Sequence, residues 1–522
     1  MTTTEQLPVA FCQKYQALLG PEEAARFLES FQAPAEKGFR LNPKKASSAN
    51  PEIMALRAAH QPIPWSPQGY YGQVKGLAIS QTSGAVYSQE PSAQAVAALA
   101  APAPGSRVLD LCAAPGGKTT QLASLLGETG LLVANEIDPQ RAKILSENVE
   151  RFGYSNVVVT NHAPDQLAQF FPAFFDLIVV DAPCSGEGMF RKDPDAIQYW
   201  EPDYPLACQQ RQRTILTEAL TMLKPNGSLV YSTCTFAPEE DEENIAWLLA
   251  QEPRFQVVAP EGPGWDQVDR GRPAWGANRP EMTATLRFWP QKLRGEGHFM
   301  AKLIRTDVHQ LTEPLQAEPG VTPPRLNEWA ERAAQEVTSD QRQSWPSAPS
   351  NSHTARTKLA KRGTTKADSK LPQALTAAET QTWTTFLQEN RLTLPDFFAQ
   401  LTLVRVQNQL FARPNCLPAD SRIRYVRRGL WLGEWRKNRF VPNQALVMAL
   451  PATAFGQILD LSASDYQRFR HGETVSLAAT MMAELGLHKG WYPVAHQGLI
   501  FSWGYLVDTT IKNFYPKNLR TR

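Results

Sequence analysis

The sequence has six cysteines, and none of them forms a Cys-x-x-Cys pair. A disulfide framework and a ribbon-type zinc site are therefore excluded as the basis of the fold, and no metal is expected. No apolar run approaches the roughly 18 residues that a membrane-spanning helix needs. Met1 to Gly20 lacks the basic-then-apolar pattern of a secretion signal. Gly-x-Gly-x-x-Gly is missing, which argues against a dinucleotide cofactor. No internal repeat stands out. These absences lead to the expectation of a reduced, cytoplasmic enzyme acting as a monomer.

What is present is enough for real cores. Hydrophobic residues make up 42% of the 522 positions, and such a length accommodates two to four domains. The net charge of +2 conceals local asymmetry, because Arg422 to Arg439 holds seven basic residues and one acidic residue.

Pattern changes divide the chain into five parts. Residues 1–95 mix short helices with turns, including a helix pair over Phe11–Leu28 broken at Gly20-Pro21. Residues 96–305 alternate strand and helix. Strands are expected at Arg107–Leu111, Leu131–Asn135, Asn156–Thr160, Asp176–Asp181 and Ser228–Ser232. Helices are expected at Thr119–Leu126, Pro139–Phe152 and Leu206–Leu223. The run Leu177-Ile178-Val179-Val180 is continuous and apolar, as buried parallel strands are. Alternation of this kind predicts a parallel sheet with helices on both faces. Ala284–Trp289 and Phe299–Ile304 read as a terminal hairpin on it. Residues 306–375 read as a helix and then a flexible linker, rich in Pro, Ser, Thr and basic residues. Residues 376–445, opening with a helix over Thr376–Glu389, read as a small α+β domain. Residues 446–522 are rich in strands punctuated by glycine.

The segment Cys112-Ala113-Ala114-Pro115-Gly116-Gly117-Lys118 follows a strand and opens a helix. Glycines there let backbone approach a ligand, at the point where α/β folds bind nucleotides. A phosphate-binding P-loop is the competitor. Its ending, Gly117-Lys118-Thr119, is present, but Cys112 occupies the position of its first glycine. On the second strand, Glu136 is placed to accept hydrogen bonds from ribose hydroxyls, and Asp138 to cap the helix that begins at Pro139. Adenosine with a short charged tail, meaning S-adenosylmethionine, suits this spacing.

Cys184 and Cys234 stand at the carboxyl ends of two expected parallel strands, where such folds place their chemistry. For Cys12, Cys112, Cys208 and Cys416 the plain reading is a small buried hydrophobe. A thiolate at a strand end can add to carbon 6 of a pyrimidine and turn carbon 5 into a nucleophile. Asp181, three residues before Cys184, is placed to act as an acid at the ring's Watson–Crick edge.

At these residues the chain resembles the RNA (cytosine-5)-methyltransferases of the Sun (Nop-Sun) family. The resemblance rests on Asp110 to Thr119, Glu136-Ile137-Asp138, Asp181 to Gly188, and Tyr231 to Thr235 followed by Glu239 to Asn244. It covers residues 1–305. Phe39-Arg40-Leu41-Asn42 and Gln89-Glu90-Pro91-Ser92 match the family's N-terminal RNA-side elements, and Gly295 to Phe299 its final hairpin. The resemblance implies an α/β, Rossmann-like S-adenosylmethionine-dependent methyltransferase sheet with an N-terminal RNA-side extension. It implies Cys234 as nucleophile, Cys184 in product release, Asp181 and Pro183 facing the base, and Lys118 where the cofactor and base sites join. The implied cofactor set is Cys112, Ala113, Ala114, Pro115, Gly116, Gly117, Lys118, Glu136, Asp138, Arg141, Asp181 and Pro183. Either His162 or Asp165 takes the adenine edge, where the family commonly has an acidic residue. The DNA cytosine-5 enzymes are a decoy, because Glu147-Asn148-Val149 precedes Asp181 instead of following it.

Residues from about 375 resemble the tail of the ribosomal-RNA, RsmF-like branch, with an α+β domain and a PUA-like domain. Basic residues interleaved with Tyr425, Trp431, Trp435 and Phe440 suit phosphate pairing and base stacking. The other reading is a solvated basic face with core tryptophans. The linker's Lys358, Lys361, Arg362 and Lys366 are read as a solvated tether. The expected substrate is structured RNA, with 16S ribosomal RNA favoured, free or within the small subunit. The alternatives are tRNA and a noncatalytic RNA-binding factor.

Overall fold

A computed structural model describes residues 7–306, 371–418, 420–437 and 439–521. Of the helix and linker expected over 306–375, residues 307–370 therefore lie outside the described residues.

At the N-terminus, α1 (Val9–Leu19) and α2 (Pro21–Ser30) form the expected pair, broken at Gly20. Their aromatic faces meet, with Phe11, Tyr15, Phe27 and Phe31 buried together with Phe190, Trp200, Phe236 and Trp289. A three-stranded sheet follows, in the order β2 (Gly69–Tyr71), β1 (Gly38–Leu41), β3 (Val86–Ser88). Between these strands run α3 (Pro51–Ala59) and α4 (Ile79–Thr82), and α5 (Ala93–Ala100) leads into the next domain.

The central sheet is built from β4 (Arg107–Asp110), β5 (Leu131–Asn135), β6 (Val157–Thr160), β7 (Phe175–Asp181) and β8 (Leu223–Thr233). These pair in parallel in the order β8-β7-β4-β5-β6. Four of them carry the apolar runs read from the sequence. The fifth begins earlier than Ser228, because Leu223 already pairs with Phe175 and the register shifts before Ser228 meets Leu177. Pro225-Asn226-Gly227 is thus a bulge in a strand and not a connecting turn. The faces are covered by α6 (Gly117–Leu126), α7 (Pro139–Phe152), α8 (Pro164–Ala168), α9 (Tyr204–Met222) and α10 (Glu242–Gln251). The antiparallel edge consists of β9 (Phe255–Val258), β10 (Asp269–Arg270), β11 (Leu286–Phe288) and β12 (His298–Arg305), with β12 against β8. The terminal hairpin is therefore present.

The C-terminal part starts with α11 (Ala377–Glu389), capped by Thr376 and Glu379 in a reciprocal capping box. A four-stranded sheet follows, in the order β13 (Leu401–Val406), β14 (Gln409–Pro414), β16 (Leu430–Arg436), β17 (Arg439–Pro442). Between them β15 (Tyr425–Arg427) leaves that sheet and pairs with β6, extending the central sheet. Next comes α12 (Gln444–Ala449), buried at every position but its first. A five-stranded sheet ends the chain: β18 (Leu459–Asp460), β20 (Gly490–His496), β21 (Leu499–Val507), β22 (Thr510–Asn513), β19 (Val475–Ser476).

The C-terminal part docks closely. Gly153, at the end of α7 with φ of 78°, lies so near α12 that a Cβ there would sit 2.0 Å from the Met448 carbonyl oxygen. Arg427 is buried and donates to the carbonyls of Val157 and Tyr154. The basic stretch is thus partly an intramolecular joint. Phe440 is buried against Trp383 and Phe386, and Trp435 packs on Phe440. Trp431 stacks on Phe411, and Tyr425 packs beneath the central sheet. Phe440 is buried, and Tyr425, Trp431 and Trp435 are half-buried. Among the described residues, no helix is long and apolar enough to cross a membrane.

Candidate active site

The expected site residues lie at the carboxyl ends of the central strands, in the turns that follow, or, for Lys118, Arg141 and Asp165, in the first turns of α6, α7 and α8. Asp110 ends β4, Asn135 and Glu136 follow at the end of β5, Asp181 ends β7, and Cys234 follows β8. Asp181 pairs with Ser232 across β7 and β8, so the residues after each strand emerge side by side. That register brings together two thiols fifty positions apart. The Sγ atoms of Cys184 and Cys234 are 3.2 Å apart, and the Cys234 N–H donates to the Cys184 sulfur at 3.3 Å. Both are partly exposed. The hydrogen bond with Cys234, together with burial, pushes the Cys184 thiol well above its ordinary value.

Beside them Lys118, from the first turn of α6, donates to Asp181 Oδ2 at 2.7 Å. Ser232 donates to Asp181 Oδ1 at 2.8 Å. Burial alone would raise the Asp181 carboxyl, but Lys118 and the nearby His298 hold it well below the usual carboxylate range. Burial likewise acts to lower Lys118, and its pairing with Asp181 raises it overall. Lys118 and His298 thus favour the ionised form of Asp181, against the protonated form that burial alone would favour.

The turn from Cys112 to Lys118 wraps the start of α6. Gly116 adopts φ of 108°, open to glycine and strained for other residues. Arg141 donates to the Ala114 carbonyl at 2.8 Å and lies 3.6 Å from Glu136. Arg141 therefore braces the turn. Glu136 is buried, and its carboxylate accepts the N–H groups of Ala114 and Asp138. Asp138 caps α7 by accepting from Gln140 and Arg141. Pro115 and Pro183 are exposed. Burial pushes the Cys112 thiol up, in keeping with a packed residue.

These residues fit a nucleoside with a charged tail. Two acidic side chains, Asp110 and Glu136, stand at adjacent strand ends. Among the described residues Asp110 Oδ1 is buried without a hydrogen-bond partner, and burial raises this carboxyl to about 7. Such an atom invites a donor.

The adenine-edge candidates fare unequally. His162 is buried, and its Nε2 accepts the backbone N–H of Arg424 at 2.8 Å. Its ring thus secures the C-terminal part to the sheet. Asp165 is exposed in the first turn of α8. Arg40 and Gln89, in the segments matched to RNA-side elements, are buried. Arg40 donates to Gln89 at 2.7 Å and to the carbonyl of Gly117 at 2.9 Å, so it supports the turn from beneath. Arg422 pairs with Asp420, and Arg436 pairs with Glu434.

Sequence reasoning missed two buried carboxylates that hold the thiol loops. Glu187 accepts from Tyr15 Oη, Trp200 Nε1 at 3.0 Å, Thr235 Oγ1 at 2.9 Å and the Phe236 N–H at 3.2 Å. Glu240 accepts from the Ser185 N–H at 2.9 Å and from Gln212 at 2.7 Å, and Gln212 also donates to the Pro183 carbonyl. Ser185 and Thr235 hydroxyls meet at 2.8 Å, tying the two loops together. Charge within polar turns was the one available signal, and it does not reveal partners. Among the described residues, no cluster of three or more His, Cys, Asp or Glu side chains could hold a metal.

Comparison with known proteins gives four family models in chain order. Residues 97–304 match 16S rRNA methyltransferase RsmB/F, and residues 7–91 match the N-terminal domain of 16S rRNA methyltransferase RsmF. Residues 385–450 match the RsmF first C-terminal domain, and residues 457–521 match the methyltransferase RsmF PUA domain. The ribosomal RNA small subunit methyltransferase F of Klebsiella pneumoniae is 37% identical over 293 residues, covering 54% of this chain and 59% of that one. Its counterpart from Salmonella heidelberg is 38% identical over 290 residues, covering 53% and 58%. The match thus spans somewhat over half the length of these curated relatives. Among solved structures, PH0851 is 28% identical with a TM-score of 0.51, covering 57% of this chain and 66% of that one. NSun6 from Pyrococcus horikoshii shares the fold at 21% identity, with a TM-score of 0.51, covering 58% of this chain and all of that one.

Proposed function

For a chain whose residues 97–304 belong to the RsmB/F methyltransferase family, we propose transfer of a methyl group from S-adenosylmethionine to carbon 5 of cytosine in 16S ribosomal RNA. The observation that carries this reading is the pair of sulfurs 3.2 Å apart beside the Lys118–Asp181 pair. Two in contact serve addition and release.

Cys234, having released its proton to solvent, adds as thiolate to carbon 6, and carbon 5 gains the electron density to take up a methyl group. The cofactor, when bound, supplies that methyl as an electrophile, held by the Cys112–Lys118 turn, Asp110 and Glu136. Asp181 accepts a hydrogen bond from the amino group of cytosine, with Lys118 compensating its charge. Cys184, 3.2 Å from the Cys234 sulfur, releases its own proton to solvent and as thiolate takes the carbon 5 proton, and Cys234 departs as thiolate.

The five-part domain division, a cytoplasmic location and a monomeric state complete this reading. The models of an RsmF N-terminal domain and a PUA domain at either end support ribosomal RNA over tRNA as substrate. The test is nucleoside mass spectrometry of unmodified small-subunit RNA, free or within the subunit, after incubation with the protein and S-adenosylmethionine. The expected product is 5-methylcytosine. Product on tRNA alone would overturn the substrate assignment, and none on any RNA would overturn the activity.

A further inference from the structure

Asp181 has a third neighbour that the chemistry above leaves unused. His298, the first residue of β12, places Nε2 3.8 Å from Asp181 Oδ1. The residue is 5% exposed, and among the described residues Nε2 has no hydrogen-bond partner. A buried ring nitrogen left unpaired is costly. The position is set by the sheet. Phe299 pairs with Thr233, so His298 lies one step further on, level with Cys234 at the open end of β8.

We propose that His298 is a positioning residue that fixes Asp181 against the target base and so sets the preference for cytosine over uracil. This rests on the activity proposed above. Two oxygens must be shared among four groups. Lys118 occupies one lone pair of Oδ2, and Ser232 occupies one of Oδ1. A donor at His298 Nε2 that closes the 3.8 Å gap takes the remaining place on Oδ1. The carboxylate then turns its free Oδ2 lone pair to the base. Cytosine offers an amino N–H there, whereas uracil offers a carbonyl oxygen, which a carboxylate repels. Without the histidine, the carboxylate can rotate and the distinction weakens.

The test compares wild type with His298→Phe, which keeps a ring and removes the donor, and His298→Gln, which restores an N–H. Single-turnover methylation is measured on small-subunit RNA transcripts carrying C or U at the mapped position. His298→Phe should slow methylation of C about tenfold and raise the U-to-C ratio. RNA affinity, S-adenosylmethionine affinity and melting temperature should stay unchanged. His298→Gln should recover both rate and discrimination. Wild-type rate and discrimination in His298→Phe would overturn the assignment, as would His298→Gln being equally impaired, or a loss confined to RNA affinity or melting. Failure of the wild-type protein to make 5-methylcytosine would instead overturn the activity, and this assignment with it.

Discussion

Tyr15, in the first helix, donates its hydroxyl hydrogen bond to Glu187, 172 positions away and wholly buried. Glu187 in turn holds the hydroxyl of Thr235 and the N–H of Phe236, directly after Cys234. The N-terminal helices are thereby part of the thiol loops' support. Tyr15→Phe leaves a buried carboxylate one donor short, which costs about 1–3 kcal/mol. Denaturant unfolding should show that loss, and methylation should fall with RNA affinity unchanged. A neutral substitution would contradict this clamp.

The two thiols separate by phenotype. Cys234→Ala should abolish methylation. Cys184→Ala should complete about one methylation per enzyme and then stop, because release stalls. Burst and steady-state rates on small-subunit RNA distinguish them. Normal steady-state turnover by Cys184→Ala would contradict its release role.

Lys118→Met removes the cation that keeps Asp181 charged. Methyl transfer should fall by about two orders of magnitude or more. Single-turnover rates measure this. A change in RNA affinity alone would show that the pair serves binding and not chemistry.

Glu240 is raised to about 7, first by burial and further by the charge of Glu187, while its hydrogen bonds from Ser185 and Gln212 oppose the shift. A raised carboxyl favours the folded state while protonated. Its contribution is full below the unfolded value near 4.3 and is lost as pH rises to about 7. Wild type should therefore lose up to about 3 kcal/mol relative to Glu240→Gln between pH 4.5 and 7.5. Unfolding free energies of the two proteins across that range check the sign. Parallel profiles would contradict the assignment.

Two arginines of one basic stretch should behave oppositely. Arg427→Ala strips the donors from two buried carbonyl contacts. It should destabilise the fold by about 2–3 kcal/mol. Neutralising Arg436 and Lys437, both exposed, should leave stability unchanged and reduce the salt dependence of RNA binding by a slope of about 1.5. Melting temperature and affinity at several salt concentrations separate the two effects.

Much of this was legible in the chain. Leu177 to Val180 reads as a buried strand because every residue is apolar and β-branched or leucine. The strand ends and glycine turn then follow from order alone. Asp138 before Pro139 announces a helix cap, and Asp138 caps α7. What was illegible depends on partners distant in sequence. Arg427 looks like an RNA contact until carbonyls some 270 positions away take it. The Lys118 partner of Asp181 lies 63 positions before it. The Arg424 N–H on the His162 ring comes from 262 positions away. A local sequence window gives the charge of such groups but not what neutralises them.

The most direct measurement is the identity of the sulfur that bonds to RNA. Cys184→Ala is incubated with small-subunit RNA and S-adenosylmethionine, denatured, digested and mapped by peptide mass spectrometry. The account predicts a nucleotide attached to the peptide bearing Cys234, with a methyl group on the base. Attachment at any other residue, or methylated RNA formed at the wild-type rate with no attachment, would contradict it.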